Sequence, residues 1–543
     1  MTMNVAAAAL LAAILSGALL PLSAADAPQP TAQDKEKNAK EFAASIERFN
    51  ARDPQSPDTV NARLSYAALL AKTEIGDCKT RLDGAQVQLD LAKANPALEV
   101  GLPAGLARLS AVEYQVHAAR AACGGPELRA PESRDAELRA ALESAQRALV
   151  LYRDAFDAVS MVAMQFNCAV AYHDLGDTAA AVSALQAAIV MDREYGYADD
   201  AEDNYSLLLQ WSGKQAGQDR QADDDQVAAQ MQDFPERSAT LAFDWFPSDA
   251  QMKFESEYTQ IDDGAILNVH GSRDAQRHVR KGLGSWKVTF EPAAAHFDLA
   301  NPQLKDSALQ GLAISLAGVL LQFHNFDLAP NGEFDSSQGD IRFAARARDD
   351  VKTLTRDLAA RGTPTTQLPR SVAKALSALL SQNVIDSLVA EGYNFDTGTW
   401  IGATLDQGVW YDLTASLSLS LQPQVFVKHQ IEFAYTRPLP CTDDSKETAC
   451  IEIVLHATPV RAVLSEMLGK LARAARLPPQ QVPQLQSRTD IRLIVDPLNL
   501  VAYRRDIRRY SYWSTGAAGP NNTLIESERS SLVSGRPSRA DGG

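Results

Sequence analysis

The sequence predicts a multidomain α+β protein: an N-terminal α-helical array, then a large antiparallel β-rich domain carrying a few amphipathic helices. Three observations lead there. From about Phe42 to Trp211 the chain is rich in Ala and Leu at helical spacing and is punctuated by stop signals. Beyond Ser238 the period switches to two, with apolar and polar residues alternating. Between them Lys214–Glu236 is polar, acidic and almost without large apolar side chains, as a linker or an exposed helix is.

The length of 543 residues fits several domains. The formal net charge of −16 argues against a large basic nucleic-acid surface, because phosphate neutralisation needs an excess of Lys and Arg. The expected boundaries are 1–25 for a signal peptide, 26–55 for an N-terminal segment and 56–213 for the helical domain. An acidic linker over 214–237, the β-rich domain over 238–515 and a mostly disordered tail over 516–543 follow.

Val5–Leu20 is an uncharged apolar run, followed by Pro21 and small residues, and Ser23 and Ala25 fit the positions a signal peptidase requires to be small. Cleavage after Ala25 would start the mature chain at Asp26; retention as an anchor is the alternative. The other long apolar run, Leu312–Leu321, is too short to span a bilayer. Export, periplasmic or secreted, is therefore expected, with no membrane span after cleavage. An oxidising compartment permits disulfides among the five cysteines. Cys441 and Cys450 bracket a polar stretch between two alternating segments, Ile431–Tyr435 and Ile451–Leu455, which reads as a hairpin closed by a disulfide worth about 2–3 kcal/mol. Cys78 and Cys123, in separate helical segments, are candidates for a second bridge, leaving Cys168 as a buried thiol.

In the helical half, Ser56-Pro57-Asp58 starts a helix, and Gly76, Asn95-Pro96 and Gly124-Gly125-Pro126 mark ends. Asn167–Asp192 resembles a tetratricopeptide repeat: Ala171, Tyr172, Gly176-Asp177, Ala181, Leu185 and Ala188 fall at that family's spacing. Ala141–Tyr152 and Asn204–Trp211 read as halves of degenerate neighbouring units. The resemblance implies a stacked helical solenoid whose concave face holds a protein partner; a purely supporting array is the alternative.

In the β-rich half, Met252–Tyr258, Trp286–Phe290 and Val409–Leu421 alternate, the last long enough for a strand of roughly 40 Å in a large curved sheet or half-barrel. Asp349–Ala360, Ser371–Ala390 and a segment from Thr458-Pro459 carry helical periodicity. Helices over the sheet's apolar concavity leave room for an apolar, lipid-like ligand.

No GxSxG elbow, P-loop, HExxH, EF-hand loop or GxGxxG after a strand occurs, so no catalytic residue, metal ligand or cofactor is assigned. His117 and His173 lie in helices without a matching ligand partner, and Glu452 and His456 share a strand face beyond direct contact. The cluster Tyr503–Trp513 sets four arginines among aromatic residues. It could bind an anionic or sugar-like ligand, but in so acidic a chain the favoured reading is a strand whose arginines pair with acids. Trp400, Trp410 and Tyr411 read as a turn with core anchors. The expected function is thus that of an exported, non-catalytic binding protein using its helices as a protein-interaction module. A carrier or sensor of an apolar ligand, and an enzyme of unrecognised type, are the alternatives.

Overall fold

The computed structural model describes residues 32–52, 54, 56–72, 77–95, 97–100, 104–123, 131–212, 238–242, 249–262, 265–282, 284–292, 296–300, 324–337, 382–419, 422–442, 450–474, 484–498, 500, 502–514 and 521–534. The signal segment, the linker 214–237, Leu312–Leu321 and Asp349–Ala360 lie outside these residues. The chain divides between Glu236 and Arg237 into two units, and residues 520–543 belong to the second.

In the first unit, α1 (Ala32–Arg52), α2 (Pro57–Lys72), α3 (Cys78–Lys93), a single turn Ala97–Val100, α4 (Gly105–Ala122), α5 (Pro131–Asp154), α6 (Ala158–Asp174), α7 (Thr178–Glu194) and α8 (Ala198–Trp211) follow in order. One turn design joins the last four. Phe156, Gly176 and Gly196 each sit at positive φ, between 59° and 81°. The next residue's amide closes a six-residue loop: Asp157 N to Tyr152 O at 3.1 Å, Asp177 N to Tyr172 O at 3.0 Å, Tyr197 N to Asp192 O at 2.8 Å. This is the Schellman end of a helix, for which glycine is the residue of least strain. Asp157 and Asp177 then cap the following helix, accepting from Ser160 N and Ala180 N at 3.0 Å. A helix stop and the next start thus share one aspartate.

The helices alternate in exposure. α3, α5 and α7 carry exposed flanks, including Val87 and Leu91, Gln146 and Val150, and Gln186 and Val190. α2 from Pro57 to Ala71, α4 from Ala107 to Ala121 and α6 from Ala158 to Tyr172 have no exposed position. Small residues allow the close approach between layers: Ala141 and Ala145 of α5 meet Tyr114 of α4 and Cys168 and Ala171 of α6.

In the second unit, twelve strands among the described residues form one antiparallel, curved and unclosed sheet. They are β2 (Asp249–Asp262), β3 (Ala265–Lys281), β4 (Trp286–Pro292), β5 (His296–Ala300), β6 (Phe326–Leu328), β7 (Phe334–Ser336), β9 (Trp410–Leu419), β10 (Gln422–Leu439), β11 (Cys450–Pro459), β12 (Gln484–Val495), β13 (Ala502–Ser514) and β14 (Asn521–Ser534). The order is β7-β6-β4-β3-β2-β14-β13-β12-β11-β10-β9, with β5 beside β3. Two short strands, β1 (Ser238–Thr240) and β8 (Thr404–Asp406), pair separately. Among the described residues this unit also holds helices α9 (Gln382–Asp396) and α10 (Arg461–Ala474) and a short 3-10 turn, Gly398–Trp400.

Two expectations need correction. The tail expected to be mostly disordered from residue 516 contains β14, which pairs with β2 from Asn522↔Asp262 to Leu532↔Met252. At the middle of its inward side stand Glu526 and Glu528, which meet arginines, so apolar alternation does not announce the strand. The segment at Thr458-Pro459 ends β11 rather than starting a helix, and α10 begins at Arg461. Of Ser371–Ala390, residues 382–390 are described and lie in α9, which runs on to Asp396. α10 lays Leu464, Met467 and Leu468 on Val427 and Leu485.

One face of the sheet holds the core. Ile431, Phe433, Ile451, Ile453, Leu455, Ile491, Leu493, Val495 and Ile507 gather there under Trp400, Leu241, Leu405 and Leu500. Trp400 stands edge-on to Phe433 with centroids 5.0 Å apart. Farther along, Tyr393 and Val389 of α9 pack with Val279, Val288, Phe326 and Leu328.

Candidate functional site

The cysteines form two bridges. Cys441 and Cys450 are joined at the neck of the β10–β11 hairpin, their Cα atoms 5.0 Å apart. Cys78, at the start of α3, is joined to Cys123, just past α4, with Cα atoms 6.1 Å apart. Cys168 is a buried free thiol, and burial pushes it up to about 11, so it stays protonated and unreactive near neutrality. Among the described residues no helix is long and apolar enough to cross a membrane, and no group of acidic, histidine or cysteine side chains is arranged for a metal ion.

In the helical unit, polar side chains fix how the layers sit. Arg108 of α4 donates to Asn61 Oδ1 at 2.7 Å and Ser65 Oγ at 2.8 Å on α2. Arg147 of α5 reaches Ser110 at 3.0 Å and the buried Glu113 at 2.7 Å, and Glu113 also pairs with Lys93 of α3. Along α6 the partly buried residues Val159, Ala163, Phe166 and Val170 recur at intervals of three and four, forming one apolar line, of which Ala163 and Phe166 also pack against apolar residues of the unit's own clusters. The two helical histidines have ordinary partners: His117 meets Glu137 at 2.6 Å, and His173 stacks on Trp211 at 4.3 Å.

Asp192, at the end of α7, is fully buried. Its Oδ2 accepts from Asn204 at 2.7 Å, while Oδ1 has no hydrogen-bond partner. Burial raises this carboxyl to about 7. An acid whose folded value is raised stabilises the fold fully below its unfolded value, and that contribution is lost as pH rises through the folded value. The helical unit is therefore expected to be less stable at about pH 8 than at about pH 5 by roughly 2–4 kcal/mol, with Asp192→Asn removing most of the difference. Thermal unfolding of both proteins by circular dichroism checks this; an unchanged pH dependence in the variant refutes it.

In the sheet unit, the face opposite the core is ionic. Glu452, between core residues Ile451 and Ile453, is buried and accepts from Arg492 Nε at 2.6 Å, Arg437 Nε at 3.3 Å and Thr436 Oγ1 at 2.6 Å. Asp506, beside core residue Ile507, is likewise buried and accepts from Arg504 Nε at 2.9 Å and Arg529 Nε at 2.6 Å, with Arg492 Nη1 at 3.7 Å. Arg437, Glu452, Arg492, Asp506 and Arg529 thus run as one ladder from β10 to β14. Burial alone would raise the Glu452 carboxyl, but Arg492, Arg437 and Thr436 outweigh it and hold it below the ordinary carboxylate range. A second group lies on the same face: His456 Nδ1 and Arg488 Nε both approach Asp490 Oδ1 at 2.6 Å, and Trp410 stacks on His456 at 5.5 Å. Glu452 and His456 do not meet; each is held by its own partner on β12.

The arginines of the 503–513 cluster divide between the two faces. Arg504 meets Asp506, while on the core face Arg509 Nη1 meets Glu528 at 2.9 Å and Glu526 at 3.5 Å, and Arg505 meets Glu528 at 3.9 Å. Arg508 bonds to Tyr510. Burial raises Glu526 to about 7 despite Arg509. Of the other cluster, Trp400 is a core anchor, Tyr411 stacks on Phe433 at 5.5 Å, and Trp410 is exposed. The ladder was not legible in the sequence, because its pairs depend on the register between neighbouring strands, which no local pattern states; an excess of arginine in the strand around 504–509 was its one local sign.

No family model matches the chain, and no curated protein does. Among solved structures it is similar to one described as lipid-protein interactions in lipovitellin, at 8% identity and a TM-score of 0.27, over 55% of this chain and 27% of that one.

Proposed function

We propose that this chain is an exported binding protein whose helical unit holds a segment of a protein partner, with the sheet unit as its rigid companion. The observation that carries the reading is the apolar line Val159, Ala163, Phe166 and Val170 on α6, partly exposed in an array whose neighbouring layers α2, α4 and α5 are fixed by Arg108 and Arg147. A pre-ordered apolar strip takes up a partner's side chains without an ordering cost of its own. The resemblance of Asn167–Asp192 to a tetratricopeptide repeat supports the same assignment, and the two disulfides fit an oxidising compartment. Around Leu417 the inner face of the sheet is filled by the protein's own Trp400, Leu241 and Leu405. An apolar ligand would have to lie elsewhere on that sheet.

A photo-reactive residue placed at Ala163, and as a control at the exposed Gln186 of α7, tests the reading in cells exporting the protein. An adduct of discrete mass from position 163 and none from 186 is expected. No adduct, or the same adducts from both positions, would overturn it.

A further inference from the structure

We propose that Arg504 and Arg529, seated together on the buried carboxylate of Asp506, form a binding site for a phosphate-type oxyanion on the outer face of the sheet. Each donates its Nε to a different oxygen of Asp506, at 2.9 Å and 2.6 Å. No hydrogen bond from the Nη groups of either is present among the described residues. The side chains are 31% and 53% exposed, whereas Asp506 is 6% exposed, so the guanidiniums face water and the carboxylate they share does not.

The charge balance favours an anion. Among the described residues, Arg437, Arg492, Arg504 and Arg529 form ion pairs with two carboxylates, Glu452 and Asp506, which leaves more cations than carboxylates in direct contact in a chain whose net charge is −16. Glu255, opposite Arg529 on β2, also attracts it, but this carboxylate pairs more closely with Lys253 at 2.6 Å. A guanidinium whose Nε edge is fixed still presents its Nη groups in a plane, and two such forks anchored on one carboxylate match the several oxygens of a phosphate group. The Nε contacts hold the long side chains in place, so binding need not order them first.

That phosphate could be free or part of a lipid headgroup. The test uses the full-length, disulfide-bonded chain, with inorganic phosphate in calorimetry and phosphatidylglycerol against phosphatidylcholine vesicles in flotation, all at low ionic strength. Binding is expected to at least one of phosphate and phosphatidylglycerol, weakening as salt rises. Phosphate alone indicates a free ligand, and phosphatidylglycerol vesicles alone indicate a headgroup. Arg504→Gln with Arg529→Gln should weaken binding by about ten-fold or more. Arg139→Gln, on exposed α5, should leave it unchanged. Arg504→Lys with Arg529→Lys keeps the charge opposite Asp506 but removes the forks. It should fold where the Gln pair fails, and should still bind several-fold more weakly. The proposal falls if neither probe binds, if the Gln pair or, where that does not fold, the Lys pair binds like the original, or if Arg139→Gln weakens binding equally.

Discussion

Replacing Trp400 by alanine is expected to lower the stability of the sheet unit by about 3–5 kcal/mol. Trp400 is 1% exposed and lies in the largest apolar cluster of the sheet, edge-on to Phe433. Alanine would leave a cavity that the surrounding strands, tied by ladder hydrogen bonds, have little freedom to close. Trp400→Phe, which keeps much of the volume, should cost clearly less. Urea unfolding followed by circular dichroism separates them: the midpoint of the alanine variant should fall while the slope stays unchanged. A loss below about 1 kcal/mol would mean that Trp400 only caps the core.

Glu452→Ala should be of similar size, about 3–5 kcal/mol, for an electrostatic reason. The substitution removes the carboxylate but leaves Arg437 and Arg492 aimed at its place. Its pH signature distinguishes it from a packing defect. A carboxyl held below its ordinary value stabilises the fold fully above the unfolded value, about 4.3, and the contribution is lost as pH falls through the lower folded value. The original protein should therefore lose stability in acid more steeply than the variant. Parallel acid sensitivity in the two would remove Glu452 from the account; Asp490, also held low despite burial by Arg488 and His456, would then be the next residue to test.

What the sequence made legible was apolar periodicity. The alternation at Val409–Leu421 corresponds to β9 over Trp410–Leu419, and that of Ile431–Tyr435 and Ile451–Leu455 to the paired β10 and β11, with Phe433 opposite Leu455. These strands bury one face against apolar neighbours, and that need is written locally. The strand β14 was not legible, because Glu526 and Glu528 face Arg505 and Arg509, so that its pattern is polar on both sides. The turn at Phe156 was obscured in another way, since a bulky residue occupies the position where its two counterparts have glycine. The Arg504–Asp506–Arg529 grouping joins residues on two strands, and only their register brings them together.

The place of β14 bears on the order in which the molecule can be made. This strand follows every other described strand in sequence, yet it lies between β2 and β13. During synthesis, β2 to β7 and β9 to β13 emerge as two blocks, each with an open edge where the missing neighbour belongs. The blocks become one sheet only when residues 521–534 arrive between them, whatever the folding state of either. A chain that lacks residues 521–534, whether still being made or truncated, would present two strand edges able to pair with a second copy, so the arrival of β14 acts as the checkpoint for assembly.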